Sequence, residues 1–215
     1  MRSEVAFVGA RGVDSYPFSR GGTATQAKRL KASGIDFLVG YLGGSNMNAQ
    51  RLDHVLSAGL AFMPVTLAGE YFDGAGDEIA DLRGLRIPTG ATVWLDLEGD
   101  KSYRWPPSDL IRLVNAWAGA IKAAGYIAGL YVGSPQPLTG LELARLAVTR
   151  YWKAPSLVLD RTGRDWSEPS GIGWCMLQAW PSKDWPSPAD PDRVWVDVNL
   201  VQEDRRGRLP TWVVR

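Results

Sequence analysis

Asp96 and Glu98 stand two residues apart in the segment Val93-Trp94-Leu95-Asp96-Leu97-Glu98. In an extended strand, side chains two apart share a face, with Cβ atoms roughly 6.5 Å from each other. Val93, Leu95 and Leu97 make the opposite face apolar, so the strand is expected to be buried on both sides, where an uncompensated carboxylate is costly. Neighbouring carboxylates oppose each other's ionisation and push their pKa values apart, which lets one keep its proton near neutral pH. Glycosidic bond cleavage needs that division: a protonated acid for the leaving oxygen, and a carboxylate that stabilises the cationic centre or holds the attacking group. Retention and inversion both stay open, because the longer Glu side chain can set several carboxyl separations. A lone Asp-x-Glu is a weak motif, since buried acids also pair with arginine or cap backbone amides.

The elements that position this pair follow from short apolar runs alternating with helix-period segments. Strands are expected over residues 5–14, 35–41, 60–67, 91–97 and 126–132, each followed by a helix. The first helix follows Gly21-Gly22-Thr23 and stops at Gly34; the second runs from an Asn48 cap through Leu52, Val55 and Leu56 to Gly59. The third covers residues 77–85. The fourth runs from a Ser108 cap through Leu110, Val114, Trp117 and Ile121 to Gly125, and the fifth starts at the capping box of Thr139 and Glu142 and continues to Ala147. Residues 151–159, 175–180 and 193–201 then read as strands separated by Pro- and Gly-rich loops. The predicted fold is α/β, a TIM-like (β/α) barrel of five βα units followed by three strands with the last helices reduced or missing, in one domain over residues 1–215. Such barrels carry their chemistry at the C-terminal ends of the strands. Asp96 and Glu98 fall there on the fourth strand, Asp14 ends the first, and Asp197 lies in the last, so four acids are expected at one barrel mouth.

Composition narrows the alternatives. A chain of 215 residues with 45% hydrophobic residues supports one sizeable core. Its 24 Lys plus Arg against 23 Asp plus Glu give a formal charge of +1, without the basic field of a nucleic-acid binder. One cysteine, Cys175, excludes an intramolecular disulfide and leaves no cluster for zinc, so neither a metal nor another cofactor is expected. The N-terminal residues lack the apolar stretch of a Sec signal and no run approaches a membrane span. A soluble chain, favoured as a monomer, would need a route other than a Sec signal to reach any substrate outside the cytoplasm. Ten tryptophans are the compositional outlier; Trp105, Trp166, Trp185 and Trp212 sit in loop-like contexts, where Trp stacks on ligands or caps the core rim.

The sequence resembles glycoside hydrolase family 25 lysozymes, and more closely the glycoside-hydrolase-like domain of unknown function 1906. The similarity runs through Gly12-Val13-Asp14, Ala32-Ser33-Gly34-Ile35-Asp36-Phe37, Ala58-Gly59-Leu60, the Asp96-Leu97-Glu98 strand, Gly129-Leu130-Tyr131, Gln178-Ala179-Trp180 and Val196-Asp197-Val198-Asn199. This resemblance implies cleavage of the β-1,4 bond between N-acetylmuramic acid and N-acetylglucosamine in peptidoglycan, by a phage endolysin released through a holin or an effector delivered to the cell wall by another route. It implies Glu98 as general acid, Asp96 as the group that orients the substrate N-acetyl or stabilises an oxazolinium-like species, and Asp14 and Asp197 as groups that tune the acid and hold substrate. Tyr41, Tyr131 and Trp180 are then candidates for stacking on sugar faces, and Glu70 and Gln178 for substrate contact. Family lysozymes often carry Tyr-His-Phe at the third strand, where this chain has Pro64-Val65-Thr66-Leu67.

Other residues read more plainly. His54, the only histidine, has no nucleophile motif beside it and is expected on a helix surface; Cys175 is expected as a buried, inert thiol. Gly21-Gly22 and Gly43-Gly44 lack phosphate-loop spacing. The stretches 166–173 and 181–191 are rim loops that either shape specificity or cover the barrel wall, and Arg205-Arg206-Gly207-Arg208 reads as a solvated tail. A non-catalytic or weakly active glycan-binding barrel and a structural module of a phage or secretion particle remain the alternatives to a hydrolase.

Overall fold

The computed structural model describes all residues except 45, 69–74, 99–104, 134–136, 156–167 and 186–192, and residues 180–185 in backbone only. β1 (Arg2–Val5) is followed by eight strands that close a barrel: β2 (Arg11–Asp14), β3 (Phe37–Tyr41), β4 (Ala61–Leu67), β5 (Thr92–Leu97), β6 (Ile127–Val132), β7 (Arg150–Lys153), β8 (Met176–Trp185) and β9 (Val194–Val201). Neighbours from β2 to β8 pair in parallel, and β9 pairs antiparallel with both β8 and β2. Only residues 186–193 link β8 to β9, and a parallel return needs a crossover of about a dozen residues or more. The short link therefore reverses β9, which brings its N-terminal half, with Asp197, to the barrel end where the other strands finish. Asp14 and Asp197 sit directly opposite in the ladder.

Helices α1 (Tyr16–Gly21), α2 (Ala24–Ala32), α3 (Ala49–Ser57), α4 (Gly76–Gly84), α5 (Pro107–Ala123) and α6 (Gly140–Leu143) lie between the strands from β2 to β7. The local signals act where expected. Asn48 caps α3 by accepting from Arg51 N, Thr139 and Glu142 form a reciprocal capping box, and Gly125 follows α5 at φ 90°. Among the described residues, no helix follows β7 or β8, and none is long and apolar enough to cross a membrane.

Several boundaries differ from the sequence expectation. The run 5–14 is broken by Gly9 at φ 85° into β1 and β2, and β1 leaves the barrel to pair antiparallel with β10 (Thr211–Val214). β10 touches β4 at Val213 and Phe62, so Arg205-Arg206-Gly207-Arg208 is a turn that leads into buried strand rather than a tail, although Arg205, Arg206 and Gly207 are exposed as expected of a solvated run. Asp204 folds that basic turn back, accepting from Arg206 N, Arg208 N and Arg208 Nε. Pro106, not Ser108, precedes the first turn of α5, which begins at Pro107; a proline at the first helical position gives up a donor that has no partner there anyway. α6 ends at Leu143 instead of Ala147, and the chain turns to bury Val148 and enter β7. His54 is half-buried with Nδ1 3.3 Å from the Gly22 carbonyl. Cys175 is buried, and burial pushes its thiol up to about 12. Trp212 packs against Phe7 and Phe37 at the barrel base.

The barrel interior is aromatic. A Cβ at Gly129 would stand 2.5 Å from the Trp94 ring, so the absent side chain is what lets Trp94 cross the interior. Trp152 meets Trp94 at 5.8 Å and Tyr131 at 4.4 Å between ring centroids. Trp94 precedes Asp96 by two residues on the same strand face, so this stack forms a floor under the carboxylates.

Candidate active site

Four acids converge at the barrel end where the parallel strands finish. Asp14 closes β2, Asp96 is the fifth residue of β5, Glu98 follows the last residue of β5, and Asp197 comes from β9. Asp14 and Asp96 are buried at 5% and 3% exposure, whereas Glu98 is open to solvent. Depth separates the roles the two β5 acids can play: one is sealed beneath the site, the other can meet a ligand.

The partners of these acids come from three other strands, β3, β6 and β8, and from β9 itself. Tyr41, at the end of β3, donates its hydroxyl to Asp96 Oδ2 at 3.3 Å. Asn199 Nδ2 donates to Asp14 Oδ1 at 2.7 Å, with a longer bond from Gln178 Nε2 at 3.4 Å. Tyr131 donates to Gln178 Oε1 at 2.5 Å and its hydroxyl also favours the Glu98 carboxylate. A chain of polar side chains thus runs from Asp14 through Gln178 to Tyr131 and Glu98. Asp96 Oδ1 and Asn199 Oδ1 are buried without a hydrogen-bond partner among the described residues, which is uncommon for buried acceptors and marks sites where a ligand donor fits.

Burial and mutual repulsion set the electrostatics. Asp14 is held well above the usual carboxylate range, first by burial, then by the charge of Asp197, with a smaller contribution from Glu98; the Asn199 bond works against this. Asp96 is likewise held well above that range by burial, then by Glu98 and Asp14, and the Tyr41 bond opposes it. Glu98 is raised by local desolvation and by Asp197, against the Tyr131 bond. Each of these three acids therefore feels the charge of others in the cluster. Burial drives the Tyr41 and Tyr131 hydroxyls upward too, with Asp96 the leading charge at Tyr41 and Glu98 at Tyr131, so both remain donors. Among the described residues, no group of three or more His, Cys, Asp or Glu is arranged to hold a metal ion.

The structure thus brings together Asp14, Asp96, Glu98, Asp197, Tyr41, Tyr131 and Gln178. The ring of Tyr131 is buried against Trp152, so it reaches the site through its hydroxyl. Glu70 and the side chain of Trp180 lie outside the described residues. Two residues were not singled out from the sequence. Asn199 follows Asp197 by two and shares its strand face, by the same alternation that joins Asp96 to Glu98. Gly133 lies just past β6, where a Cβ would overlap Glu98 Cβ and Oε2; a glycine closing a barrel strand was its only mark in the sequence.

A closed barrel with acids on its first, fourth and last strands, and among the described residues no helix after its sixth or seventh strand, has the architecture of a glycoside hydrolase-like domain. The family model for the Rv2525c-like, glycoside hydrolase-like domain matches residues 28–207, and the chain belongs to that family. Among solved structures, an uncharacterized protein of B. stearothermophilus superposes with a TM-score of 0.64 at 16% identity, covering 90% of this chain and 96% of the other. The bacterial lysozyme of Streptomyces coelicolor superposes with a TM-score of 0.57 at 13% identity, covering 92% and 94%. At these identities the likeness speaks for the fold. No curated protein matches the sequence.

Proposed function

We propose that this chain is a peptidoglycan-cleaving glycoside hydrolase of the muramidase kind, with Glu98 as the general acid. The observation that carries the reading is the unequal placement of the β5 pair: Glu98 is open to solvent, while Asp96 is buried with Oδ1 unpartnered beneath it. An N-acetyl sugar seated over the acids would donate its amide N–H to Asp96 Oδ1. That bond favours ionised Asp96, and the proton shared by the pair moves to Glu98, where the leaving oxygen needs it. As the bond from the anomeric carbon to the leaving oxygen breaks, Glu98 gives that oxygen its proton and the N-acetyl carbonyl oxygen closes on the anomeric carbon. A water molecule, deprotonated by Glu98, then opens the oxazolinium-like ring. Asp197 supplies negative potential that favours the cationic centre and keeps the Glu98 carboxyl raised, and Asp14 helps to hold the substrate. The fold shared with a lysozyme supports peptidoglycan as the substrate.

In the empty site Asp96 is sealed from water while Glu98 is open to it, and burial disfavours the charged form of the deeper acid. That observation favours a second reading, a barrel that holds glycan through its acids without cleaving it. Clearing of a suspension of purified peptidoglycan separates the two. Wild-type protein is expected to clear it and Glu98→Gln to lose about 10²-fold or more of the rate, the contribution typical of a positioned acid. Sedimentation with peptidoglycan but equal, negligible clearing by both proteins would establish the binding reading instead.

A further inference from the structure

Two large aromatic side chains remain in water at the mouth of the acid cluster: Tyr16 at 42% and Trp195 at 50% exposure. Their positions are related. Asp14 and Asp197 are opposite each other in the antiparallel β2–β9 ladder; Tyr16 lies two residues beyond Asp14, and Trp195 two residues before Asp197. Alternation along β9 puts Trp195 on the same face as Asp197 and Asn199, one step further toward the opening. The two aromatics therefore flank the Asp14 and Asp197 pair.

Both are held in place. Ser15 caps α1 by accepting from Phe18 N and donates its own hydroxyl to the Trp195 carbonyl at 2.6 Å, tying the two segments together. Ser19, in the same helix, donates to the Ser15 carbonyl and accepts from Tyr41 N. The Tyr16 ring meets Tyr41 edge-on at 5.4 Å, and the Arg20 guanidinium lies 5.6 Å from its centre. Tyr41 in turn bonds to Asp96, so the platform and the acid pocket share a wall. The exposed Val5, Phe7 and Val8 lie near the opposite end, before β2 begins.

We infer that Tyr16 and Trp195 form a sugar-binding platform beside Asp14 and Asp197, stacking on the apolar face of a pyranose ring adjacent to the bond that is cleaved. Aromatic rings present a large apolar area at small entropic loss and a polar edge for hydroxyls, and carboxylates on one side accept from the same sugar. Continuity with the acid pocket selects a saccharide as the occupant. The inference rests on the glycan reading of the site and extends it to two residues outside the acid cluster.

The test measures binding of solubilised peptidoglycan glycan strands to protein carrying Glu98→Gln, so that nothing is cleaved, by calorimetry and by tryptophan fluorescence. Adding Trp195→Ala or Tyr16→Ala is expected to weaken binding about tenfold, while Trp195→Phe retains most of it and thermal unfolding is unchanged. Phe7→Ala, equally exposed but near the other end, is expected to leave binding as it was. Trp195→Ala and Tyr16→Ala binding as tightly as the parent would overturn the platform and leave the hydrolase reading intact. Absence of any binding, together with absence of clearing by wild-type protein, would remove both.

Discussion

Substituting Gly133 by alanine places a methyl group where the Glu98 side chain now lies. The added carbon would fall on Glu98 Cβ and Oε2, well inside the 3.0 Å that real Cβ atoms keep from other heavy atoms. Ordinary carbon contacts sit at roughly 3.5–4.0 Å, so relief requires Glu98 to move by about 1 Å or more. The near atom is Glu98 Cβ, held close to the β5 backbone, so turning the carboxyl away is not enough. A displacement of about 1 Å from the reacting geometry can lower a rate by about 10²-fold. Stability should suffer less. Glu98 is open to solvent on one side, and overpacking at such a place stays toward the lower end of the roughly 1–3 kcal/mol seen in closed cores. The measurement pairs initial rates of peptidoglycan clearing with thermal unfolding of the same preparations. Gly133→Ala is expected to clear about 10²-fold more slowly with its unfolding midpoint within a few degrees of wild type. Wild-type clearing by Gly133→Ala, alongside loss in Glu98→Gln, would show that the Glu98 position set by Gly133 is not what the reaction needs.

Other perturbations read the electrostatics. The Asp96 carboxyl is raised in the folded chain, so its contribution to stability is complete below the ordinary value of 3.8 and is lost as pH rises through the folded value. Asp96→Asn should therefore stabilise the protein at pH 7 by roughly 1 kcal/mol, or about 2–4 °C for a chain of this size, with the gain gone near pH 3; a gain independent of pH would refute this. Asp204 behaves in the opposite sense: its bonds to Arg208 and Arg206 lower its carboxyl against the effect of burial, so its stabilisation is present above 3.8 and disappears as pH falls. Asp204→Ala should cost about 1.5–3 kcal/mol at neutral pH, measured by urea unfolding, and much less at pH 2.5. Gln178→Leu frees the Tyr131 hydroxyl for Glu98 and stabilises its ionised form, so the basic limb of the pH profile of kcat/KM should move down by roughly half to one unit, as expected for one hydrogen bond. An unmoved limb would mean that Tyr131 does not partition between the two.

Legibility in the sequence tracked how local the determining physics was. Asn48, Gly125 and the Thr139 and Glu142 box act within one helix turn and were readable as written. The buried β5 strand was readable because its burial on both faces leaves a continuous apolar run interrupted only by the acids. Pairings distant in sequence were not. β1 and β10 stabilise each other across the whole chain, and neither four-residue strand carries a pattern of its own. The helix α1 had a signal, Ser15 followed by Tyr16 and Pro17, in a segment short enough to pass for a turn. Asp197 was placed at the right barrel end, yet the reason is the reversal of β9 forced by its short link, which appears only when the strands are laid side by side. At the site, the acids were found because carboxylates in apolar strands stand out. Asn199, Gly133, Tyr16 and Trp195 were not, because a neutral amide, a glycine and rim aromatics gain their meaning from what lies across the barrel.

Chemical analysis of the sugar left at each new chain end tests the hydrolase reading most directly. Purified peptidoglycan is incubated with wild-type or Glu98→Gln protein, reduced with borohydride, and examined by mass spectrometry. Wild-type protein is expected to release fragments ending in reduced N-acetylmuramic acid, and Glu98→Gln almost none. Intact glycan strands after incubation with folded wild-type protein, or equal release by both proteins, would contradict it.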